Sequence, residues 1–172
     1  HETAYSYDVL GNVLSLTNAL GNTWTSTYDA AGNLTSLTTP LDQQVKYQYD
    51  KLGQRTKAIA PNGAEMLTEY NVAGMPTSIT DAASAKAQFE YDANLRLVAV
   101  IDPLGNKNER QYDARGRVLK QSDANGNAIQ YRYDKERLSG IDYPTYQERY
   151  QYDNLEQIKS ETREYLESGS AK

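Results

Sequence analysis

The 172-residue chain has no cysteine, which excludes a disulfide framework and any thiolate metal centre. Its one histidine is His1, so the body of the chain offers no imidazole to act as a base near neutrality. Basic residues number 18 against 23 acidic ones, for a net charge of −5 and a pI near 4.9. That balance argues against a nucleic-acid partner, whose phosphates require a basic surface. No apolar run approaches the length of a membrane span or a signal-peptide core. Aliphatic side chains are scarce: 16 Leu, 7 Val and 6 Ile, with 1 Phe, make up about 17% of the sequence, a level at which disorder is usually suspected. Against disorder stand 15 tyrosines, a modest net charge and a strict internal period. The shortage fits a thin repeat structure packed with tyrosine better than a compact globule.

The period rests on one dipeptide. Tyr-Asp occurs at Tyr7-Asp8, Tyr28-Asp29, Tyr49-Asp50, Tyr91-Asp92, Tyr112-Asp113 and Tyr133-Asp134, and Tyr70-Asn71 fills the remaining slot, so seven copies stand 21 residues apart. An eighth, Tyr152-Asp153, follows after 19. Each unit contains two turn signals. The first is Asp/Asn-x-x-Gly, ending at Gly11, Gly32, Gly53, Gly74 and Gly116. Here the acidic or amide side chain can bond backbone two residues on, and glycine takes the left-handed position that closes the turn. The second lies about ten residues later, as ALGN at 19–22, PNGA at 61–64, PLGN at 103–106 and ANGN at 124–127.

Six to eight residues separate the turns, the length of a strand and too short for a helix. Before each Asp the pattern alternates, with Val45, Tyr47 and Tyr49 on one face and Lys46, Gln48 and Asp50 on the other. After the turn, apolar residues stand three apart: Val13 and Leu16, Leu34 and Leu37, Leu97 and Val100. That spacing requires either a bulge or apolar contact on both faces. The expected fold is all-β: tandem antiparallel hairpins of 21 residues, roughly fifteen strands in an elongated, curved, twisted sheet. The repeat segment spans 1–166 with about eight repeats, and 167–172 reads as a disordered or artificially appended tail.

The unit YDxxGxLxxxxDPxGxxxxYxYD resembles the YD repeat of the Rhs family, and IDPLGNKNERQYDARGRVL at 101–119 lies close to that consensus. The resemblance covers residues 3–164 or so. Its relatives include bacterial Rhs and Tc-type toxin proteins, wall-associated polymorphic toxins and animal teneurins. It implies a long β-sheet that spirals into a hollow shell, which in the toxins encloses a C-terminal toxic polypeptide. The implied partners are the remainder of a parent shell protein and that enclosed polypeptide, and the implied location is secreted or cell-surface. Eight repeats suffice only for part of such a wall, so the chain reads as a segment of a larger protein. Neither a self-cleaving region nor a toxin-like domain is recognisable.

Two roles compete for the repeated residues. Tyr7, Tyr28, Tyr49, Tyr70, Tyr91, Tyr112, Tyr133 and Tyr152 are expected to stack along one sheet face, each ring on its neighbour's. Asp8, Asp29, Asp50, Asn71, Asp92, Asp113, Asp134 and Asp153 are expected to cap turns. Asn71 can do that work but would spoil a carboxylate catalyst. No D-x-D-x-D-G pattern suggests a metal, and no glycine turn has the phosphate-loop pattern, so no cofactor and no catalytic residue is expected. The rival reading is a repeat module that binds carbohydrate or a partner protein. Its candidate sugar contacts are Trp24 and Tyr47.

Overall fold

The structure is a computed structural model and describes residues 2–166; His1 and the expected tail at 167–172 lie outside the described residues. The chain divides into two compact units, residues 1–88 and 89–172. The first holds β1 (Ala4–Tyr7), β2 (Val13–Thr17), β3 (Thr23–Tyr28), β4 (Leu34–Thr38), β5 (Gln44–Tyr49), β6 (Arg55–Ile59), β7 (Glu65–Tyr70) and β8 (Pro76–Thr80). Strand β9 (Lys86–Tyr91) runs across the division. The second holds β10 (Leu97–Ile101), β11 (Lys107–Tyr112), β12 (Val118–Ser122), β13 (Ala128–Asp134), β14 (Arg137–Asp142), β15 (Tyr146–Tyr152) and β16 (Ile158–Tyr165). Among the described residues there are sixteen strands rather than about fifteen, and strand order is sequence order. Within each unit consecutive strands pair antiparallel, as β3 does with β4 and β11 with β12.

The three-residue spacing after each turn comes from a bulge. Thr27 pairs with Ser36 but Tyr28 pairs with Leu34, so Thr35 has no opposite number. The same shift recurs at Tyr7, Tyr49, Tyr70, Tyr112, Tyr133 and Tyr152. One unpaired residue reverses the alternation, which brings Leu34 and Leu37 onto a single face.

Both turns of a unit share one geometry. Gly11 N–H bonds the Asp8 carbonyl and Asp8 N–H bonds the Asn12 carbonyl; ten residues on, Gly21, Asn18 and Asn22 repeat the arrangement. The second turn therefore begins one residue earlier than the glycine motif alone suggests, at Asn18, Thr39, Ala60, Asp81, Asp102 and Asp123. Where glycine is missing, Leu95 and Glu156 take its positive φ, at 61° and 67°.

The 19-residue spacing at the eighth copy has a local cause. Tyr133 pairs with Leu138 where Tyr112 pairs with Val118, and Asp142 pairs with Gln147 where Ser122 pairs with Ala128. Each turn is one residue shorter, and Asp134 lies inside β13 opposite Arg137 instead of opening a turn of the repeated kind.

Cross-strand partners point to the same side, so the register sorts side chains onto two faces. One carries Leu16 with Trp24, Leu37 with Val45, Ala58 with Met66 and Gln121 with Ile129, together with the repeat tyrosines. The other carries hydroxyls and charges: Ser6 bonds Ser15, Thr17 bonds Thr23, Thr27 bonds Ser36, and Lys57 pairs with Glu65. Four of the five buried positions among the described residues lie on this polar face, and they are small residues flanked by longer ones: Ser36, Ser78, Ala99 and Gly140, with Ala99 at 3% exposure the one buried hydrophobic. The fifth, Glu148, lies on the tyrosine face, opposite Ile141 and Arg163. Six of the leucines (Leu10, Leu20, Leu41, Leu52, Leu104 and Leu155) stand on turn tips at 70% to 87% exposure. The aliphatic shortage is thus sharper in the folded molecule than in the composition.

Candidate functional site

Within each of the two units the Tyr-Asp joint ties a repeat to the one before it. The ladder between β2 and β3 ends at Ser15 opposite Thr25, two residues short of Val13. Beyond that point the Tyr28 hydroxyl donates to the Val13 carbonyl at 3.1 Å. Tyr49 does the same to Leu34 at 2.9 Å and Tyr70 to Arg55 at 3.0 Å. In the second unit Tyr112, Tyr133 and Tyr152 reach Leu97, Val118 and Leu138 at 2.9, 2.9 and 2.8 Å. Each ring spans the end of a short ladder, and its hydroxyl takes up the carbonyl just after the previous turn. These tyrosines are half-buried, as is Tyr91 at the end of β9, while Tyr7 on the first strand is 57% exposed.

At Tyr112, Tyr133 and Tyr152 the ring's neighbour is a guanidinium rather than the next repeat's ring. The Arg96 guanidinium lies 4.7 Å from the Tyr112 ring centroid and that of Arg117 4.1 Å from Tyr133. Arg96 also bonds Asp92 at 2.7 Å through Nε and the Asp113 carbonyl at 2.8 Å through Nη1. One side chain thereby joins its own turn, the next tyrosine and the next turn. The position is legible as a column five residues after each tyrosine (Asn12, Asn33, Gln54, Met75, Arg96, Arg117), which the tyrosine period overshadowed.

The acidic caps hold the backbone of their turns, and in several repeats both carboxylate oxygens are engaged. Asp29 Oδ1 accepts from the backbone of Ala31 and Asn33 at 2.9 Å each, and Oδ2 accepts from the Asn33 amide at 3.0 Å. Asp8 repeats this with Leu10 and Asn12, and Asp50 with Leu52 and Gln54 through one oxygen. Asn71 manages the two backbone bonds with its amide oxygen. Asp92, Asp113 and Asp153 hold the same pair of backbone N–H groups. The side-chain hydrogen bond from Asn12 holds the Asp8 carboxyl below its ordinary 3.8, and Asn33 does so for Asp29, Arg96 for Asp92, Asn106 for Asp102 and Asn127 for Asp123. A carboxylate so placed stays ionised and has no proton to donate at neutral pH, which suits a cap and not an acid catalyst.

A pH dependence follows. Folded-state values depressed below the unfolded ones mean that the caps' contribution is complete above about pH 4 and is lost as pH falls through the lowered values. The urea midpoint is expected to hold from neutrality to near pH 5 and to drop below pH 4. A midpoint that is flat to pH 2 counts against the caps as a source of stability.

The C-terminal strands break the pattern with a charged cluster. Glu148 is 5% exposed and accepts from the Tyr150 hydroxyl at 2.8 Å and from Arg163 at 3.0 and 2.5 Å. Its hydrogen bond with Tyr150 pushes that phenol up to about 12. The two candidate sugar contacts sit apart. Trp24 is half-buried beside an apolar hollow with Val13, Leu16 and Leu37, and Tyr47 is covered on one side by Arg55 at 5.3 Å. Among the described residues no group of three or more His, Cys, Asp or Glu gathers as a metal centre would, and no helix is long and apolar enough to cross a membrane.

Comparison with curated protein sequences found no match. Among solved structures, the chain is similar to one in the TcdB2–TccC3–Cdc42 complex, with a TM-score of 0.69 and 16% identity over 95% of this chain. It is similar to another in the Photorhabdus luminescens Tc holotoxin pore carrying a TccC3 mutation, with a TM-score of 0.67 and 17% identity over 95%. In both cases it spans 11% of the other chain's length. At such identities the likeness establishes the fold: all-β, in tandem antiparallel hairpins. A family model, the teneurin YD-shell, matches residues 1–169. With repeat, joint and fold in agreement, the chain belongs to the teneurin YD-shell family.

Proposed function

We propose that this structural shell segment is a section of wall in a larger secreted or surface toxin-type protein, and that the wall sequesters a polypeptide. The carrying observation is the asymmetry of the sheet. Among the described residues, one face holds half-exposed aromatics and aliphatics with no second layer packed on it in either unit, interrupted near its last strands by the Glu148–Arg163 pair; the other is tied down by hydroxyl pairs and ion pairs. A sheet of one layer ordinarily buries its apolar side against another element, and an open apolar surface of this kind calls for a partner. An unfolded polypeptide suits it, since the surface is shallow and repetitive and does not demand one shape. The mechanism is physical: the tyrosine ladder fixes strand spacing, the turns tolerate substitution, and the apolar side holds the enclosed chain away from water and proteases.

The test is tyrosine nitration with and without a reduced, carboxymethylated polypeptide that cannot fold. Nitration of Tyr28, Tyr47, Tyr112 and Tyr131 is expected to slow, together with proteolysis of the added polypeptide. Unchanged nitration and unchanged proteolysis at saturating polypeptide would overturn the reading.

A further inference from the structure

The repeat register makes one unit stand out. Four residues before the repeat tyrosine the chain carries Trp24, Val45, Met66, Ala87 and Ile129, yet Asn108 in the unit of Tyr112 and Glu148 in that of Tyr152, where Arg163 neutralises it; only the unit of Tyr112 departs at both of the next two positions as well. Two residues before it stand Ser26, Tyr47, Thr68, Phe89 and Tyr131, all uncharged, yet Arg110. Nine residues after it stand Leu16, Leu37, Ala58, Ile79 and Val100, yet Gln121.

The fold brings these three departures together. Arg110 pairs with Gln121, Gln121 with Ile129, and Val100 with Asn108, so all lie on the apolar face. They line one open hollow of about 410 Å³ with Leu97, Val100 and Ile129, flanked by the turn at Tyr143 and Pro144. That size falls in the range of sites that bury ligand groups, about 300–1,000 Å³.

Arg110 is also free. Among the described residues it is the one arginine with no ion pair, hydrogen bond or ring contact; Arg96, Arg115, Arg117, Arg132, Arg137, Arg149 and Arg163 are all bonded, and Arg55 lies over Tyr47. Asn108 likewise has no protein partner, and Gln121 accepts only a 3.4 Å bond from the Tyr131 hydroxyl. Two carboxylates line the hollow, but Asp123 is bonded to Asn125 and Asn127 and Glu109 pairs with Lys107; neither stands opposite the guanidinium, whose cross-strand neighbour is Gln121.

We propose that the hollow is a subsite for a carboxylate, and that its occupant is an Asp or Glu side chain of the sequestered polypeptide. This rests on the wall reading above. The guanidinium offers paired donors to the carboxylate. The carboxamides on neighbouring strands each present a donor and an acceptor to the peptide groups on either side. The apolar floor receives an adjoining side chain, continuous with the face that accepts the rest of the polypeptide.

The test is isothermal titration of the whole chain with two unfolded peptides that differ only in Glu against Gln, beside an oligogalacturonate. The Glu peptide is expected to bind about five- to tenfold more tightly than its Gln counterpart. That difference should vanish in Arg110→Gln and largely persist in Arg110→Lys, both checked for an unchanged melting midpoint. Equal binding of the two peptides overturns the carboxylate subsite while leaving the wall reading intact. Arg110-dependent binding of oligogalacturonate without peptide binding overturns the polypeptide assignment in favour of an acidic glycan. Absence of binding by all three overturns both the subsite and the sequestering wall.

Discussion

Replacing Tyr49 by alanine is expected to lower the urea-unfolding free energy by about 2–3 kcal/mol, between the loss of one hydrogen bond and truncation of a fully buried ring. The ring is half-buried and its hydroxyl bonds the Leu34 carbonyl at 2.9 Å, so both terms apply and neither is maximal. Tyr49→Phe separates them, since it keeps the ring and removes only the bond, at about 1 kcal/mol. Tyr7→Ala is the control. That residue belongs to the same column but is 57% exposed on the first strand, and its loss should cost little. If Tyr49→Ala and Tyr7→Ala proved equal, the hydroxyl-to-carbonyl link between repeats would not be what holds the units together.

The second large effect is expected at a position the tyrosine period does not mark. Gly140 lies in β14 between Arg132 and Arg149 on the polar face. A Cβ added there would stand 2.6 Å from the Glu148 carbonyl oxygen and 2.9 Å from the Arg149 side chain. The first contact is backbone, so it cannot be relieved by a rotamer change; β14 and β15 would have to separate. Gly140→Ala is expected to destabilise by about 1–3 kcal/mol through overpacking. Hydrogen exchange should show the loss in β14 and β15, beside the buried Glu148 and its bonds to Tyr150 and Arg163. Exchange unchanged in those strands would show that the sheet absorbs the methyl group.

Much of the fold was legible because its signals are local. Asp29 and Gly32 specify a turn through bonds made within five residues, and the same is true wherever the pair recurs. Val45, Tyr47 and Tyr49 announce a strand by alternation, which depends only on backbone geometry. The ring neighbours were not legible. Arg96 over Tyr112 joins residues 16 apart in sequence, and nothing in the tyrosine column distinguishes a ring that stacks on a ring from one that stacks on a guanidinium. Asp134 misled for a related reason: the dipeptide is intact, but the turn after it has lost a residue, and the pairing with Arg137 absorbs the aspartate into β13.

The sequence alone determined the all-β class, the 21-residue hairpin unit and the places where the chain turns, because each of these follows from short-range backbone and capping preferences repeated many times. Tertiary structure decided the rest. The register chose a bulge over two-sided burial after each turn, and thereby gathered Val13, Leu16 and Trp24 on one face. Cross-strand packing placed most of the buried positions under the polar side, at Ser36, Ser78 and Ala99, where short side chains lie between long ones, and set Glu148 against Arg163 on the other. It also assembled Asn108, Arg110 and Gln121 from two strands into one hollow. Such outcomes depend on which residues face one another across strands, and register is a property of the paired chains that no single strand carries.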